Sequence, residues 1–183
     1  MHELILGGTK SGKSRAAETR AATWLRARPQ RCATLVATAR AGDREMAERI
    51  ARHRAERAVR VPQLQTVEAA STLGAVLRGL SDPARLIVVD CLTLWLTQCL
   101  MPPPGASAIA WDVEQEDLLR ALRDSASPVV LVSNDIGSGV TPLSREARRC
   151  VDALGVLHQG VAALCSRVTL MVAGCELNVK DAR

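Results

Sequence analysis

The stretch G-G-T-K-S-G-K-S at residues 7–14 decides the fold of this chain. It matches G-x-x-x-x-G-K-[ST] and stands between an apolar, strand-like segment (residues 4–6) and a helical pattern that runs to about Arg28, which is the context this motif requires. In such a P-loop the backbone N–H groups and the helix dipole hold the phosphates of a nucleotide. The side chain of Lys13 would reach the β- and γ-phosphates, and the hydroxyl of Ser14 would ligate Mg²⁺. The residues predicted to surround the phosphates are Gly7, Gly8, Thr9, Lys10, Ser11, Gly12, Lys13 and Ser14.

Apolar, strand-like runs alternate with helical patterns along the rest of the chain. This alternation predicts an α/β fold with a mainly parallel sheet and helices on both faces. At 183 residues the chain fits a single domain, residues 1–183. The stretch from Pro102 to Gly105 is expected to be a surface loop. After the P-loop, strands are expected at residues 33–38, 86–89, 129–133 and 168–173, and helices after Asp43 and at residues 68–80, 91–101, 109–123 and 144–165.

The composition narrows the classes of protein and of ligand. The formal net charge of +5 comes mostly from arginine, which favours an anionic ligand. The chain has no Phe or Tyr and only three Trp, so it lacks the aromatic platforms of single-stranded nucleic-acid binders, and we expect no nucleic-acid partner. Because there is neither a run of about 18 apolar residues nor a signal-peptide pattern, we expect a cytoplasmic protein without membrane insertion. The six cysteines form no C-x-x-C pair and are expected to be reduced packing residues.

Asp90 ends the uninterrupted apolar run at residues 86–89. A carboxylate at the carboxyl end of a parallel strand, as in a Walker B element, would face the same metal ion as Ser14. The alternative is that Asp90 caps the N-terminus of the helix that follows. Because Ser14 needs an acidic companion and Asp90 is the best-placed candidate, these two residues are the predicted Mg²⁺ ligands.

Several further segments follow the P-loop in a fixed order. They are V-A-T-A at 36–39, D-R-E-M-A-E-R-I-A-R-H-R at 43–54, T-V-E at 66–68, V-V-D-C-L-T at 88–93 and S-N-D-I-G-S-G-V-T-P at 133–142. With the P-loop, this series resembles the family of bifunctional adenosylcobinamide kinases and adenosylcobinamide-phosphate guanylyltransferases of cobalamin biosynthesis. The likeness extends to N-V-K at 178–180 and so covers essentially the whole chain. It implies a P-loop NTPase fold of RecA-like type.

The resemblance implies a transferase with two reactions. It would phosphorylate adenosylcobinamide with ATP or GTP in the presence of Mg²⁺, and then transfer GMP from GTP to adenosylcobinamide phosphate, giving adenosylcobinamide-GDP and pyrophosphate. Members of the family form a homotrimer with the corrinoid site between subunits. The first alternative is a P-loop small-molecule kinase without guanylyltransfer. The second is a GTP-dependent switch or a nucleic-acid motor, which the lack of an N-K-x-D motif and of aromatic platforms disfavours.

The family's second reaction passes through a GMP-histidine, and the histidine that matches is His53 at the end of R-I-x-x-H. An imidazole titrates near neutral pH, so its free ring nitrogen can attack a phosphorus atom. Helical spacing places Met46 and Ile50 on the same side as His53. Arg49 and Arg57 lie one turn before and after the histidine, where their guanidinium groups could clamp phosphates. Without the resemblance, the simpler interpretation is a solvated or hydrogen-bonded histidine at the end of an apolar stripe.

The resemblance also implies nucleotide contacts outside the P-loop. Glu68 matches the guanine-contacting position, where a carboxylate would accept hydrogen bonds from N1–H and the 2-amino group and so favour GTP over ATP. The alternative is a first-turn helix acid, which the helix dipole favours. The other implied nucleotide contacts are Ala37, Thr38, Ala39, Arg54, Ala55, Glu56 and Arg57, and the implied catalytic residues are Lys13 and His53.

Several positions depart from the family pattern, among them Leu64 in place of Trp and Val156 in place of Arg. Asp135 stands where the family has Glu, in a Gly-rich loop after a strand, where α/β sheets place ligands; a plain surface turn is the alternative. The family's Arg-Pro pair is broken, which leaves either Arg57 or Arg60 as the matching arginine. His158 stands where the family has Asn.

Overall fold

The structure, a computed structural model, describes residues 1–69, 72–102, 105 and 109–181. Pro103 and Pro104 of the predicted surface loop lie outside these residues. The strands are β1 His2–Gly7, β2 Cys32–Ala37, β3 Gln65–Glu68, β4 Arg85–Asp90, β5 Val129–Val132, β6 Arg167–Val172 and β7 Cys175–Lys180. The helices are α1 Lys13–Ala27, α2 Arg44–Arg60, α3 Leu73–Leu80, α4 Leu92–Leu100, α5 Trp111–Asp124 and α6 Arg145–Leu164.

These strands form one sheet in the order β3-β2-β4-β5-β1-β6-β7. All neighbouring pairs are parallel except β6 and β7, which are antiparallel. The carboxyl ends of β1 to β6 therefore lie along the same edge of the sheet, and the P-loop leaves β1 at that edge. The predicted mainly parallel sheet of a RecA-like P-loop fold is confirmed.

Helices cover both faces of the sheet because the central strands bury side chains on both faces. Val88 of β4 belongs to a buried cluster with Ala17 and neighbouring residues of α1. Its neighbour Ile87 belongs to a second cluster, which contains Trp95 of α4 and Leu154 of α6. A parallel strand that is buried on both faces has a continuous apolar sequence rather than an alternating one, as residues 86–89 do. Each such side chain stabilises the fold by about 1.5–3 kcal/mol relative to exposure.

The cysteines are free thiols. Cys91, Cys99, Cys150 and Cys165 are buried and Cys32 is half-buried, which agrees with a packing role. Cys175 is exposed on β7, so the packing interpretation fails at this position.

The sequence did not predict two of the strands, β3 and β7. The helix expected at residues 68–80 begins only at Leu73, because Gln65–Glu68 pairs with β2 as the edge strand β3. The last strand was expected at residues 168–173. The chain turns after it, with positive φ at Ala173 and Gly174, and forms a further strand, β7. Every residue of β3 and β7 is exposed, so neither strand carries the buried apolar pattern that marks the central strands.

Helix α2 begins where the sequence predicted, because the Asp43 carboxylate accepts a hydrogen bond from the N–H of Met46 at 2.7 Å. Beyond this cap the helix is mostly exposed, and Arg57 is its one buried residue within the described chain. The helix that carries His53 therefore lies largely on the surface of the protein.

The contact between α3 and α5 yields a stability prediction. A Cβ on Gly74 would lie 2.3 Å from a carboxylate oxygen and 2.8 Å from the backbone oxygen of Asp117. Because backbone must move to admit a methyl group, Gly74→Ala should lower the free energy of unfolding by about 1–3 kcal/mol. Gly79 of the same helix faces open space, so Gly79→Ala should instead raise it by about 0.5–1 kcal/mol. Urea unfolding of both variants checks this, and equal effects would contradict it.

Candidate active site

The P-loop has a backbone that depends on glycine. Gly7 and Gly12 have φ values of 150° and 102°, and Lys10 has 58°. A Cβ on Gly7 would approach the backbone oxygen of Met171 to 2.5 Å, so a larger residue cannot fit there without a shift. Helix α1 begins at Lys13 without a side-chain cap, which leaves the N–H groups of its first turn for an anion.

Lys13 lies inside this loop. It is 8% exposed, and its ammonium group donates to the backbone oxygen of Gly8 at 2.6 Å. Burial lowers the pKa of Lys13, the negative charge of Asp90 opposes that shift, and the positive charge of Arg49 on α2 adds to it. Both the predicted metal ligand Asp90 and an arginine of the His53 helix therefore act electrostatically on the P-loop lysine.

Neighbouring strands align the other predicted residues along the edge. Ala37 of β2 is paired with Glu68 of β3 on one side and with Asp90 of β4 on the other. Val132 of β5 is paired with Asp90, and also with Ile5 of β1. With about 4.8 Å between strands, Glu68 is about four spacings, or ~19 Å, from β1. The guanine-contacting candidate and the P-loop thus lie at opposite ends of one row, with Asp90 between them.

Thr38 fixes the connection between β4 and α4. Its fully buried hydroxyl donates to the backbone oxygen of Cys91 at 2.7 Å and accepts from the N–H of the same residue at 2.8 Å. Its own N–H donates to the backbone oxygen of Asp90 at 3.1 Å. Cys91 occupies the N-cap position of α4, and that helix has no side-chain cap, so the alternative role of Asp90 as a helix cap is wrong. Asp90 is left available at the strand end.

His53 is half-buried in the middle of α2. On its N-terminal side lies Arg49, whose charge acts on the P-loop lysine. On its C-terminal side Arg54 forms an ion pair with Glu68 of β3. Helix α2 therefore reaches β3 through the residue that follows the predicted nucleophile.

A cavity of about 400 Å³ opens beside the C-terminal half of α2. Arg57 is 8% exposed and donates to the hydroxyl of Thr66 at 3.5 Å. Arg60 instead forms an ion pair with Glu18 of α1, 2.8 Å from Nε to the carboxylate oxygen. Of the two arginines that the sequence left open, Arg57 is the one that lines the cavity. The lining residues are Arg54, Arg57, Ala58, Val61, Pro62, Leu64, Thr66 and Glu68.

Some predicted nucleotide residues lie apart from this cavity. Ala55 and Glu56 are exposed and are not among its lining residues, and Glu56 pairs with Arg60 at 3.3 Å. Ala39 follows β2 and is half-buried, and Thr9 is exposed in the P-loop.

Comparison with known proteins decides the family. The sequence model of the family described as cobinamide kinase / cobinamide phosphate guanyltransferase matches residues 3–179. The chain belongs to this family. It is 44% identical over 180 residues to the bifunctional adenosylcobalamin biosynthesis protein CobP of Pseudomonas aeruginosa, covering 98% of each chain. It is 31% identical over 187 residues to CobU of Escherichia coli and 32% identical over 187 residues to CobU of Salmonella typhimurium, covering 97% of this chain and 98% of each relative.

Membership in the cobinamide kinase / cobinamide phosphate guanyltransferase family confirms the resemblance that the ordered motifs carried. It also confirms the predicted enzyme class, a transferase with kinase and guanyltransferase activities in cobalamin biosynthesis, and the use of nucleotides. The match spans nearly the whole chain, as the series from the P-loop to the last strand predicted.

The P-loop of this guanyltransferase-family chain fits a phosphate and a magnesium ion. The hydroxyl of Ser11 is buried without a hydrogen-bond partner, as expected where a phosphate oxygen would supply one. Ser14 and Asp90 offer a hydroxyl and a carboxylate, which are the oxygen ligands that Mg²⁺ prefers. Among the described residues no group of three or more His, Cys, Asp or Glu could hold a metal. Mg²⁺ needs no such cluster, because it usually keeps water and substrate phosphates as ligands.

A hydrogen-bonded chain behind the site could not be predicted. His158 Nε2 lies 2.7 Å from the hydroxyl of Ser133, which lies 3.1 Å from that of Thr93. The Thr93 hydroxyl accepts from the N–H of Asn134 at 2.8 Å. The N–H of the next residue, Asp135, donates to the backbone oxygen of the first P-loop glycine at 3.1 Å. These contacts join three separate elements to the P-loop, and no local pattern in the sequence marks them.

The chain of hydrogen bonds predicts a pH dependence of stability. Burial lowers the pKa of His158, and the nearby Asp135 carboxylate opposes the shift only in part. The unfolded chain therefore binds this proton more readily, so the contribution of His158 is present above its unfolded-state pKa of about 6.5 and is lost as the pH falls toward its folded-state pKa. Between pH 7.5 and 5.5, His158→Gln should lose less free energy of unfolding than wild type. Equal losses in denaturant titrations would contradict this.

Proposed function

We propose that this enzyme phosphorylates adenosylcobinamide at the P-loop and then transfers GMP to adenosylcobinamide phosphate through His53. One observation carries the proposal most directly. Arg54, the residue that follows His53 on α2, is paired with Glu68, and Glu68 lies in the same row of strand ends as Asp90 and the strand that leads into the P-loop. A nucleotide with its phosphates on the P-loop and its base toward β3 would pass His53.

In the first reaction the hydroxyl of adenosylcobinamide attacks the γ-phosphorus of a nucleoside triphosphate, and the bond from that phosphorus to the nucleoside diphosphate breaks. The P-loop N–H groups and Lys13 hold the phosphates and stabilise the charge that builds on them during transfer. No residue of this step needs to be a nucleophile.

In the second reaction a ring nitrogen of His53 attacks the α-phosphorus of GTP. A nitrogen–phosphorus bond forms while the bond to pyrophosphate breaks, and pyrophosphate leaves. A phosphate oxygen of adenosylcobinamide phosphate then attacks the same phosphorus, releases His53 and completes adenosylcobinamide-GDP. The cationic side chains of α2 support this reaction by balancing the charge of the triphosphate.

Ser14 and Asp90 would hold Mg²⁺ in both reactions. When bound, Mg²⁺ would neutralise charge on the transferred and leaving phosphates. Thr38 would keep Asp90 at the correct position, through the contacts it makes on both sides of the Asp90–Cys91 peptide.

Glu68 would recognise guanine through N1–H and the 2-amino group. In the structure its carboxylate is paired with Arg54, and the two side chains are 71% and 51% exposed. An exposed ion pair of this kind contributes only about 0–1 kcal/mol, so guanine can replace the arginine at low cost. The displaced Arg54 would then be free to contact the phosphates, as the buried Arg57 would from the cavity. Such contacts would explain why the family resemblance implies both arginines as nucleotide-binding residues.

We further propose a cytoplasmic homotrimer, in which residues 1–183 act as one domain and the corrinoid binds between subunits. The family resemblance supports the trimer and the shared corrinoid site. Among the described residues no helix is long and apolar enough to cross a membrane.

The histidine intermediate can be tested with labelled GTP. Wild type incubated with Mg²⁺ and α-labelled GTP should acquire acid-labile covalent label, and γ-labelled GTP should leave none on His53. His53→Ala should acquire no label yet keep its kinase rate, because the first reaction does not use the ring. Denaturing gel separation and scintillation counting measure the covalent label, and the formation of adenosylcobinamide phosphate measures the kinase rate.

A wild-type protein that takes no α-label, even with adenosylcobinamide phosphate present, would leave a P-loop kinase without guanylyltransfer as the better description. Loss of both activities in His53→Ala would show instead that the residue serves the fold or the binding of nucleotide.

Guanine recognition gives a second test. Glu68→Gln replaces one acceptor oxygen by a donor, so the binding of GTP should weaken by about 10- to 100-fold, or 1.4–2.7 kcal/mol, while ATP binding changes little. Glu48→Gln removes an exposed carboxylate of α2 and serves as the matched control. Isothermal titration with both nucleotides measures the change, and an equal loss for ATP and GTP would exclude a base contact.

A further inference from the structure

Helix α2 has few contacts with the body of the protein, although it carries His53. Its one buried residue in the described chain is Arg57, and its contacts with other elements concentrate in its second half. A nucleophile must be held within a fraction of an ångström of its productive position. Some contact in that second half must therefore set the position of the helix.

Three arginines at one-turn spacing make these contacts, and they differ in burial. The ion pair of Arg54 with Glu68 is exposed on both sides. The hydrogen bond of Arg57 to Thr66 is long, at 3.5 Å. Arg60, in contrast, contacts the carboxylate of Glu18 at 2.8 Å, and that carboxylate is only 4% exposed.

A buried carboxylate constrains its partner more than an exposed one does. Desolvation raises the pKa of Glu18, and the positive charges of Arg60 and Arg57 offset that rise only in part. Removing one partner of a buried ion pair is costly because the remaining charge lacks both water and a counter-charge. Arg60, which also pairs with Glu56 of its own helix at 3.3 Å, is thereby attached to α1 through a buried carboxylate, whereas the partner of Arg54 is exposed.

We propose that the Glu18–Arg60 ion pair is the positioning contact that fixes the His53 helix on the P-loop helix. Glu18 lies five residues after Lys13 on α1, about 7.5 Å along the helix axis, and Arg60 lies seven residues after His53 on α2, about 10.5 Å. The pair therefore links the helix that holds the triphosphate to the helix that holds the nucleophile. Both Glu18 and Arg60 are positioning residues, since neither contacts the reacting atoms.

This inference rests on the proposed GMP-histidine reaction. It predicts that guanylylation needs the Glu18–Arg60 pair and that the kinase reaction does not. Phosphorylation of adenosylcobinamide depends on the P-loop and not on His53, so it does not need the pair. Attack on the α-phosphorus does need it, since a displacement of about 1 Å can slow a reaction by 10²-fold. Loss of the pair should therefore slow guanylylation selectively.

The test compares Glu18→Gln and Arg60→Gln with wild type. Single-turnover transfer from α-labelled GTP to His53 should slow by about 10- to 100-fold in both variants, while the kinase rate with γ-labelled GTP stays within about twofold. Arg60→Lys keeps the charge and should recover part of the guanylylation rate. Arg44→Gln removes a partner of the exposed Arg44–Glu48 pair on the same helix and should change neither rate.

Thermal unfolding of each variant shows how much of any change is structural. Equal slowing of both reactions, or no slowing of either, would overturn the positioning role. If wild type takes up no label at His53, both the proposed function and this inference are wrong. If wild type is labelled and Glu18→Gln is labelled at the same rate, only the inference fails.

Discussion

The parallel register of the sheet is the constraint on which the rest of the structure depends. Pairing of Ala37 with both Glu68 and Asp90 aligns the ends of β2, β3 and β4, and Val132 connects this row to the P-loop strand. A shift of one residue in a central strand would move each buried side chain to the opposite face, where a different set of side chains is packed. Burial therefore fixes the register, and the register places the chemistry at one edge.

The two halves of the site are held by different kinds of contact. At the phosphate half, hydrogen bonds from Thr38 to the backbone on both sides of the β4 terminus and from Asp135 to Gly7 join buried elements. At the nucleophile half, an exposed helix is held by side chains, chiefly arginines. Backbone contacts in a buried region allow little movement, whereas exposed ion pairs can be exchanged when a charged ligand arrives.

The sequence predicted what depends on local pattern and missed what depends on partners. The P-loop, the strand that ends at Asp90 and the N-cap at Asp43 each follow from adjacent residues, and the structure contains all three. The sequence predicts no strand at β3 and begins a helix at its last residue, Glu68, because four exposed residues become a strand only by pairing with β2. Two further contacts join segments that are distant in sequence, so no local residue pattern predicts them. They are the contact of His158 with Ser133 and that of Arg60 with Glu18.

The arrangement of charge explains how one edge can serve two different phosphorus atoms. Lys13 is buried in the loop and donates to the backbone oxygen of Gly8, so its ammonium group would meet the β- and γ-phosphates of the proposed nucleotide from a defined position. The arginines of α2 flank His53 on a separate element, which would lie beside the α-phosphate in the proposed nucleotide position. In the proposed mechanism, reaction at the γ-phosphorus would need only the buried half of the site. Reaction at the α-phosphorus would need both halves in register, so the proposed guanylylation would depend on how firmly α2 is joined to the P-loop helix.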